Sequence, residues 1–217
     1  VFDVPDRTLV NRKIPKNKFY EKLDANTKLK ELFAEQIETI VWKHKLAQST
    51  MNLDPVDEVQ EIQIFELFLR QRGISREILE SIDKSIPYPI LHVLRYQNEV
   101  KLVIAYKQPN QNNENRAVVH SYFESDWQPQ DSFRFPITGC LTLGAVYESI
   151  IRRLLPVPAK PEEKLAEVVT RQCEIERLRR EYARLEAKLR SEKQFNKKVE
   201  INIELQKLRQ KLQQLAE

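Results

Sequence analysis

From Glu162 to its end the chain runs 56 residues without a glycine or a proline. A stretch so free of helix breakers, and so rich in Glu, Lys, Arg, Gln and Leu, is predicted to be helical. Val168, Ile175, Leu178, Tyr182, Leu185 and Leu189 follow one heptad pattern, and Ile201, Leu205, Leu208, Leu212 and Leu215 follow another at spacings of 4, 3, 4 and 3. Twelve residues separate Leu189 from Ile201, which puts the second stripe well off the seam of the first. One straight coiled coil cannot use both. A helical hairpin turning near Gln194-Phe195-Asn196 resolves the conflict, with Asn taking the left-handed conformation that ends a helix. Ile175 then faces Leu215, Leu178 faces Leu212, Tyr182 faces Leu208, Leu185 faces Leu205, and Leu189 faces Ile201. The competing solution keeps one long helix, uses Val199 and Ile203 in the first register, and pairs it with another chain, so a homodimer stays open. Either way these leucines and isoleucines are the candidate partner interface.

The tail holds 14 basic and 11 acidic side chains. Arg177, Arg179, Arg180, Arg184, Lys188, Arg190, Lys193, Lys197 and Lys198 gather toward its middle, as a solvated face with i,i+4 pairs or as a band for nucleic-acid backbone.

Residues 1–158 read differently. They are long enough to bury a core, and apolar runs alternate with turn residues. The opening segment mixes Pro5 and Pro15 with Arg12, Lys13, Lys16, Lys18 and Lys22 and is expected to be an extended arm leading into a short helix. Asn26-Thr27 is placed to cap a helix over about 28–35. IETIVWKHKLA and EIQIFELFLR are strand-like, Ser75 starts a helix ended by Pro87 and Pro89, and YPILHVLRYQN with EVKLVIAYKQP reads as an antiparallel hairpin. A fifth strand, VVHSYFESDWQ, precedes a helix whose Leu143, Val146, Ile150, Ile151 and Leu154 form a buried stripe. The expected fold class is α+β, about five mainly antiparallel strands with three helices packed largely on one face, followed over 159–217 by the helical hairpin or coiled coil.

No run approaches the ~18 consecutive apolar residues of a membrane span, and the N-terminus lacks a signal-peptide core, so a cytoplasmic protein away from membranes is expected. The chain opens on Val1, which suggests a missing initiator or short leader. Cys140 and Cys173 lack the close spacing of zinc ligands and read as free thiols. A net charge of +4 permits nucleic-acid contact without requiring it.

Catalytic signatures are scarce. No Walker loop, dinucleotide fingerprint, HExxH or nucleophile elbow occurs, and His44, His92 and His120 stand apart inside strand-like runs. Asp54, Asp57, Glu61 and Gln63 approximate the acidic residue and Glu-x-Gln strand of a metal-dependent nuclease, though carboxylates are common enough in this chain to produce such a match. Asn11, Arg12, Lys13 and Lys16 surround a proline-stiffened segment and are candidate nucleic-acid contacts, with Trp127 as a base-stacking residue and Arg190, Lys193, Lys197 and Lys198 as a second basic patch. A Trp at a strand end more often closes the core, however, and Trp42 reads as a core residue in the same way. No cofactor and no resident metal are expected.

Four segments, VNRKIPKNKFY, IPYPILHVLRY, YFESDWQP and SEKQFNKKVEINIELQKL, together resemble bacterial domain-of-unknown-function family 4391 nearly end to end. The resemblance carries no catalytic residues. It implies a setting beside helicase and DNA methyltransferase genes, as in restriction and phage-defence systems. The function expected from it is a non-enzymatic accessory or docking subunit with a helicase or methyltransferase partner. The alternatives are a direct DNA-binding protein and a metal-dependent nuclease.

Overall fold

The computed structural model describes residues 2–21, 27–56, 59–110, 113–137, 139–159 and 162–216. In chain order the elements are β1 (Phe2–Asp3), a 3-10 turn (Asp6–Thr8), β2 (Leu9–Ile14), α1 (Asn17–Glu21), α2 (Thr27–Gln36), β3 (Ile37–Ala47), α3 (Gln48–Met51), β4 (Glu61–Leu69), α4 (Arg76–Ser85), β5 (Ile90–Tyr96), β6 (Glu99–Asn110), β7 (Asn113–Glu124), β8 (Gln128–Pro129), β9 (Phe135–Pro136), α5 (Leu143–Arg153), α6 (Leu165–Ser191) and α7 (Phe195–Ala216). Two units result, Val1–Leu154 and Leu155–Glu217.

The first unit is an α+β fold. Its main sheet runs β2-β3-β4-β5-β6-β7, with β8 also paired to β6, and a separate small sheet joins β1 to β9. All neighbours in the main sheet are antiparallel except β4 and β5, which are parallel and joined through α4. β4 is central, and side chains on both its faces are buried. Phe65, Leu67 and Leu69 meet Ile78, Leu79 and Ile82 of α4, Phe33 of α2 and Phe19 of α1. Ile62 and Ile64 point the other way and are equally buried, on the face where α5 lies against β4 and β6. Ser75 caps α4 by accepting from the Glu77 N–H, and Thr142 caps α5 by accepting from that of Ala145.

The five expected strands are present, and the arm adds another. Leu9–Ile14 forms the edge strand β2, which its charges disguise because an edge strand with an exposed face shows little apolar alternation. The helices lie on both faces rather than largely on one, because the doubly buried β4 needs a cover on each side. The expected cap at Asn26 lies outside the described residues, as does Asp57.

The second unit is the helical hairpin. Val168, Val169, Ile175 and Leu178 of α6 and Ile201, Leu205 and Leu208 of α7 are buried. The Arg171 guanidinium donates to the Leu215 carbonyl at 3.0 Å, joining the start of α6 to the end of α7. Gln172 donates to the Val157 carbonyl, and Arg171 to that of Pro158, so these two residues belong with the tail rather than with the α+β unit. The turn falls at residues 192–194, slightly before the expected position. Asn196 supplies no left-handed residue there. Glu192 is extended, and its carboxylate accepts from the backbone N–H groups of Lys193 and Gln194 at 2.8 and 2.9 Å. The chain therefore leaves α6 through an extended residue rather than the expected left-handed one.

Replacing Ile82 by Ala, which opens a void beneath the sheet, is expected to cost about 2–5 kcal/mol. The same change at Leu141, 86% exposed, should stay within about 0.5 kcal/mol. Urea unfolding followed by tryptophan fluorescence checks both, since Trp42 and Trp127 lie in the α+β unit.

Candidate functional site

A cleft of about 670 Å3 opens between β2, the start of α1, strands β3 and β4, and the C-terminal end of α4. Arg12, Lys13 and Lys18 are its exposed cations, Trp42, Phe19 and Phe65 its aromatic walls, and Gln63, Ser85 and Ile86 lie deeper. The edge strand reaches it through a bulge. Leu9 pairs with His44 and Arg12 with Trp42, so β2 carries one residue more than its partner across that interval. Asn11 absorbs the extra residue with a left-handed φ of 49°, a conformation Asn tolerates better than most residues. Without the bulge, Asn11 would stand beside Trp42. With it, Arg12 does. The Asn11 side-chain oxygen accepts from the Lys43 ammonium at 3.1 Å.

Further along the sheet, between α4 and strands β5 to β7, lies a buried polar cluster. The Asp83 carboxylate of α4 is 2.9 Å from His92 Nε2, 3.1 Å from the Lys107 ammonium and 2.9 Å from the Tyr122 hydroxyl, which donates to it. Lys107 also donates to the backbone carbonyls of Asp83 and Ile86, at 3.1 and 2.9 Å. Burial alone would raise the Asp83 carboxyl, but Lys107, His92 and Tyr122 together hold it down at about 2. Burial draws the Lys107 ammonium below its ordinary value against the opposing pull of Asp83, and pushes the Tyr122 phenol up, with Asp83 adding to the rise. His92 Nδ1 finds no partner among the described residues. Tyr147 of α5 donates to the Ala105 carbonyl at 2.7 Å and accepts from the Lys107 N–H at 3.0 Å, which fixes β6 from the other helix layer.

The sequence candidates separate. Arg12 and Lys13 stand on the cleft with Lys18, whereas Lys16 is committed elsewhere. Its ammonium donates to the Ile37 carbonyl at the start of β3, at 2.7 Å, and to the Phe33 carbonyl in the last turn of α2, at 3.4 Å, one of those a helix end leaves unpaired. Its pKa is lowered, first by burial and then by Arg70. Trp127 is not a cleft residue. It packs against the core with the Arg72 guanidinium 5.5 Å above its ring, while Trp42 is both a core neighbour and a cleft wall. Glu61 is paired with Lys45 at 2.7 Å and accepts from the Gln63 amide at 2.7 Å, and Asp54 accepts from Gln48 at 3.0 Å. Among the described residues no three His, Cys, Asp or Glu side chains are grouped to hold a metal ion. His44 bonds Thr8 and His120 bonds Gln108.

The chain matches the family model described as Domain of unknown function (DUF4391) over residues 2–212. It belongs to that family. No curated protein and no solved structure matches it. The DUF4391 match thus takes in both units, the cleft and most of the hairpin.

In this DUF4391 chain the candidate interface leucines are largely enclosed by α6 and α7 themselves. Ile175, Leu178, Ile201, Leu205 and Leu208 are buried, and Tyr182, Leu185, Leu189, Leu212 and Leu215 are half-buried. Arg190, Lys193, Lys197 and Lys198 are exposed around the turn. Phe195, 77% exposed, with Val199 and Ile203 forms an outward apolar stripe. No helix among the described residues is long and apolar enough to cross a membrane.

The cluster residues were missed by sequence reasoning, although they carry a signal. Val103, Ala105 and Lys107 share strand parity, as do Ile90, His92 and Leu94, and a polar residue on an inward parity needs a partner. Changing Lys107 to Met leaves Asp83 buried without its cation and is expected to cost about 3–5 kcal/mol. The Asp83 carboxyl sits below its ordinary 3.8 when folded. Its stabilising contribution is therefore complete above that value and lost as pH falls through about 2. Unfolding midpoints across pH 2 to 5 should show this loss, reduced in Asp83→Asn.

Proposed function

We propose that this chain is a non-enzymatic accessory subunit of a DNA-processing assembly and that its α+β unit contacts nucleic acid directly through the cleft. The observation that carries this reading is the coincidence of three exposed cations with an aromatic wall at one concave site. Phosphates are bound by such cations with release of counterions, and bases stack on such walls. The bulge at Asn11 supports it further, since a bulge that re-aims one cation toward a cleft is a common device beside functional sites. A helicase or DNA methyltransferase is the partner class that the family resemblance suggests. The exposed stripe of α7 is the surface that favours the hairpin as its docking element.

The nuclease alternative is less well supported, because Glu61 and Asp54 are each engaged by a neighbouring side chain. The basic residues near the hairpin turn remain a secondary contact in this reading.

The test is fluorescence anisotropy with a labelled single-stranded DNA oligomer between 50 and 200 mM salt. Reversing Arg12, Lys13 and Lys18 to Glu is expected to weaken binding at least about tenfold. It should also flatten the slope of log K against log salt by about 2, the value for three lost phosphate contacts. Lys16→Met should leave that slope unchanged, because its ammonium serves the backbone. Salt-insensitive binding, or equal effects of the two variants, would remove the cleft from the proposal.

A further inference from the structure

Polarity changes from the mouth of the cleft to its floor. Arg12, Lys13 and Lys18 make the mouth cationic. The floor offers an acceptor in Gln63. Gln63 is only 7% exposed, and its amide orientation follows from chemistry: the Glu61 carboxylate, paired with Lys45, can only accept, so the Gln63 NH2 points to it. That leaves the Gln63 carbonyl oxygen as the group offered to the cleft. Ser85 and Ile86 bring the C-terminal end of α4, its carbonyls already served by the Lys107 ammonium, to the same floor. A phosphate is therefore favoured at the mouth, whereas at the floor the Gln63 oxygen calls for an N–H donor. Between the two ends stands the indole of Trp42.

Resting on the function proposed above, we infer that the cleft takes one unpaired nucleotide, with its phosphate at the Arg12–Lys13 rim, its base against Trp42 and its exocyclic amine donating to the Gln63 oxygen. In a duplex the base edge is already paired and the base face already stacked, so neither feature of the cleft would be used. Adenine and cytosine carry an exocyclic amine that thymine replaces by a carbonyl, which makes the floor selective. Stacking against Trp42 tolerates any base, so the selectivity belongs to Gln63 alone.

The experiment is competition anisotropy on the full chain, with labelled oligo-dC of 12 nucleotides displaced by unlabelled oligo-dC, oligo-dT, an abasic strand or a 12-base-pair duplex. The expected order is oligo-dC ahead of oligo-dT by roughly fivefold, the worth of about one hydrogen bond, with the abasic strand and the duplex at least roughly tenfold weaker than oligo-dC. Gln63→Leu should erase the difference between oligo-dC and oligo-dT without changing the salt slope. Should that variant unfold, the competitor series on the wild-type chain decides alone. A duplex or abasic strand that competes as well as oligo-dC overturns this inference. If the charge reversal at Arg12, Lys13 and Lys18 still weakens binding, the nucleic-acid reading survives without it. No binding by any strand overturns both.

Discussion

A carboxylate removed from water must be ringed by donors, or the charge is too costly to keep. Asp83 meets that condition with three side chains drawn from three strands: His92 of β5, Lys107 of β6 and Tyr122 of β7. The apolar contacts of Ile78, Leu79 and Ile82 hold α4 to the sheet, but apolar packing has no direction and would accept a helix slid or rotated by a small amount. Hydrogen bonds do not. Lys107 also binds the carbonyls of Asp83 and Ile86, which closes the C-terminal end of α4 at one point above β6. Ser85 and Ile86 therefore reach the cleft at a defined place. A buried ion pair is weak evidence of stability; here its more evident effect is positional.

The cleft depends on a second constraint at the sheet edge. Edge strands are guarded against pairing with other chains by charge, shortness and bulges, and β2 has all three in Arg12, Lys13, its short length and the bulge at Asn11. The same features deliver cations to the cleft. Because a one-residue shift of register exchanges inward for outward side chains, the bulge determines which residue stands next to Trp42. The protection of the edge and the assembly of the cleft thus share one local irregularity.

How much of this was legible follows from the range of the interactions. Strands β3 to β7, α4, α5 and the two-helix tail are visible as local periodicity, since each buries a continuous face. Strand β2 is not, because the charges at Arg12 and Lys13 break its pattern. Spacing groups Lys16 with Arg12 and Lys13, although its ammonium serves the end of α2, and gives no reason to single out Lys18, which lines the cleft. Sequence distance cannot distinguish a lysine that caps a helix from one that rims a cleft. Gln63 was noticed for a different chemistry. Its place beside Trp42 and Ser85 needs the strand order β2-β3-β4 and the return of α4, which no local pattern encodes. Asp83 lies among the polar residues of α4 and Lys107 at the end of an apolar run, and only the tertiary fold shows that they meet.

The tail explains its own ambiguity. Two solutions were compatible with its heptads because α7 carries two apolar faces. Ile201, Leu205 and Leu208 close against α6, while Phe195, Val199 and Ile203, each four residues from the next, look outward. A helix with one stripe has one partner; a helix with two has a free face after the first is satisfied. The hairpin is selected because a three-residue turn makes pairing within the chain nearly independent of concentration, while pairing between chains must overcome the loss of translational freedom. Within that turn the Glu192 carboxylate accepts from the N–H groups of Lys193 and Gln194. The second stripe has no such local partner, and folding alone leaves it in water. An apolar row kept exposed between lysines at 193, 197, 198 and 207 is not required by the hairpin itself, since the buried seam would close equally well with polar residues on the outer face.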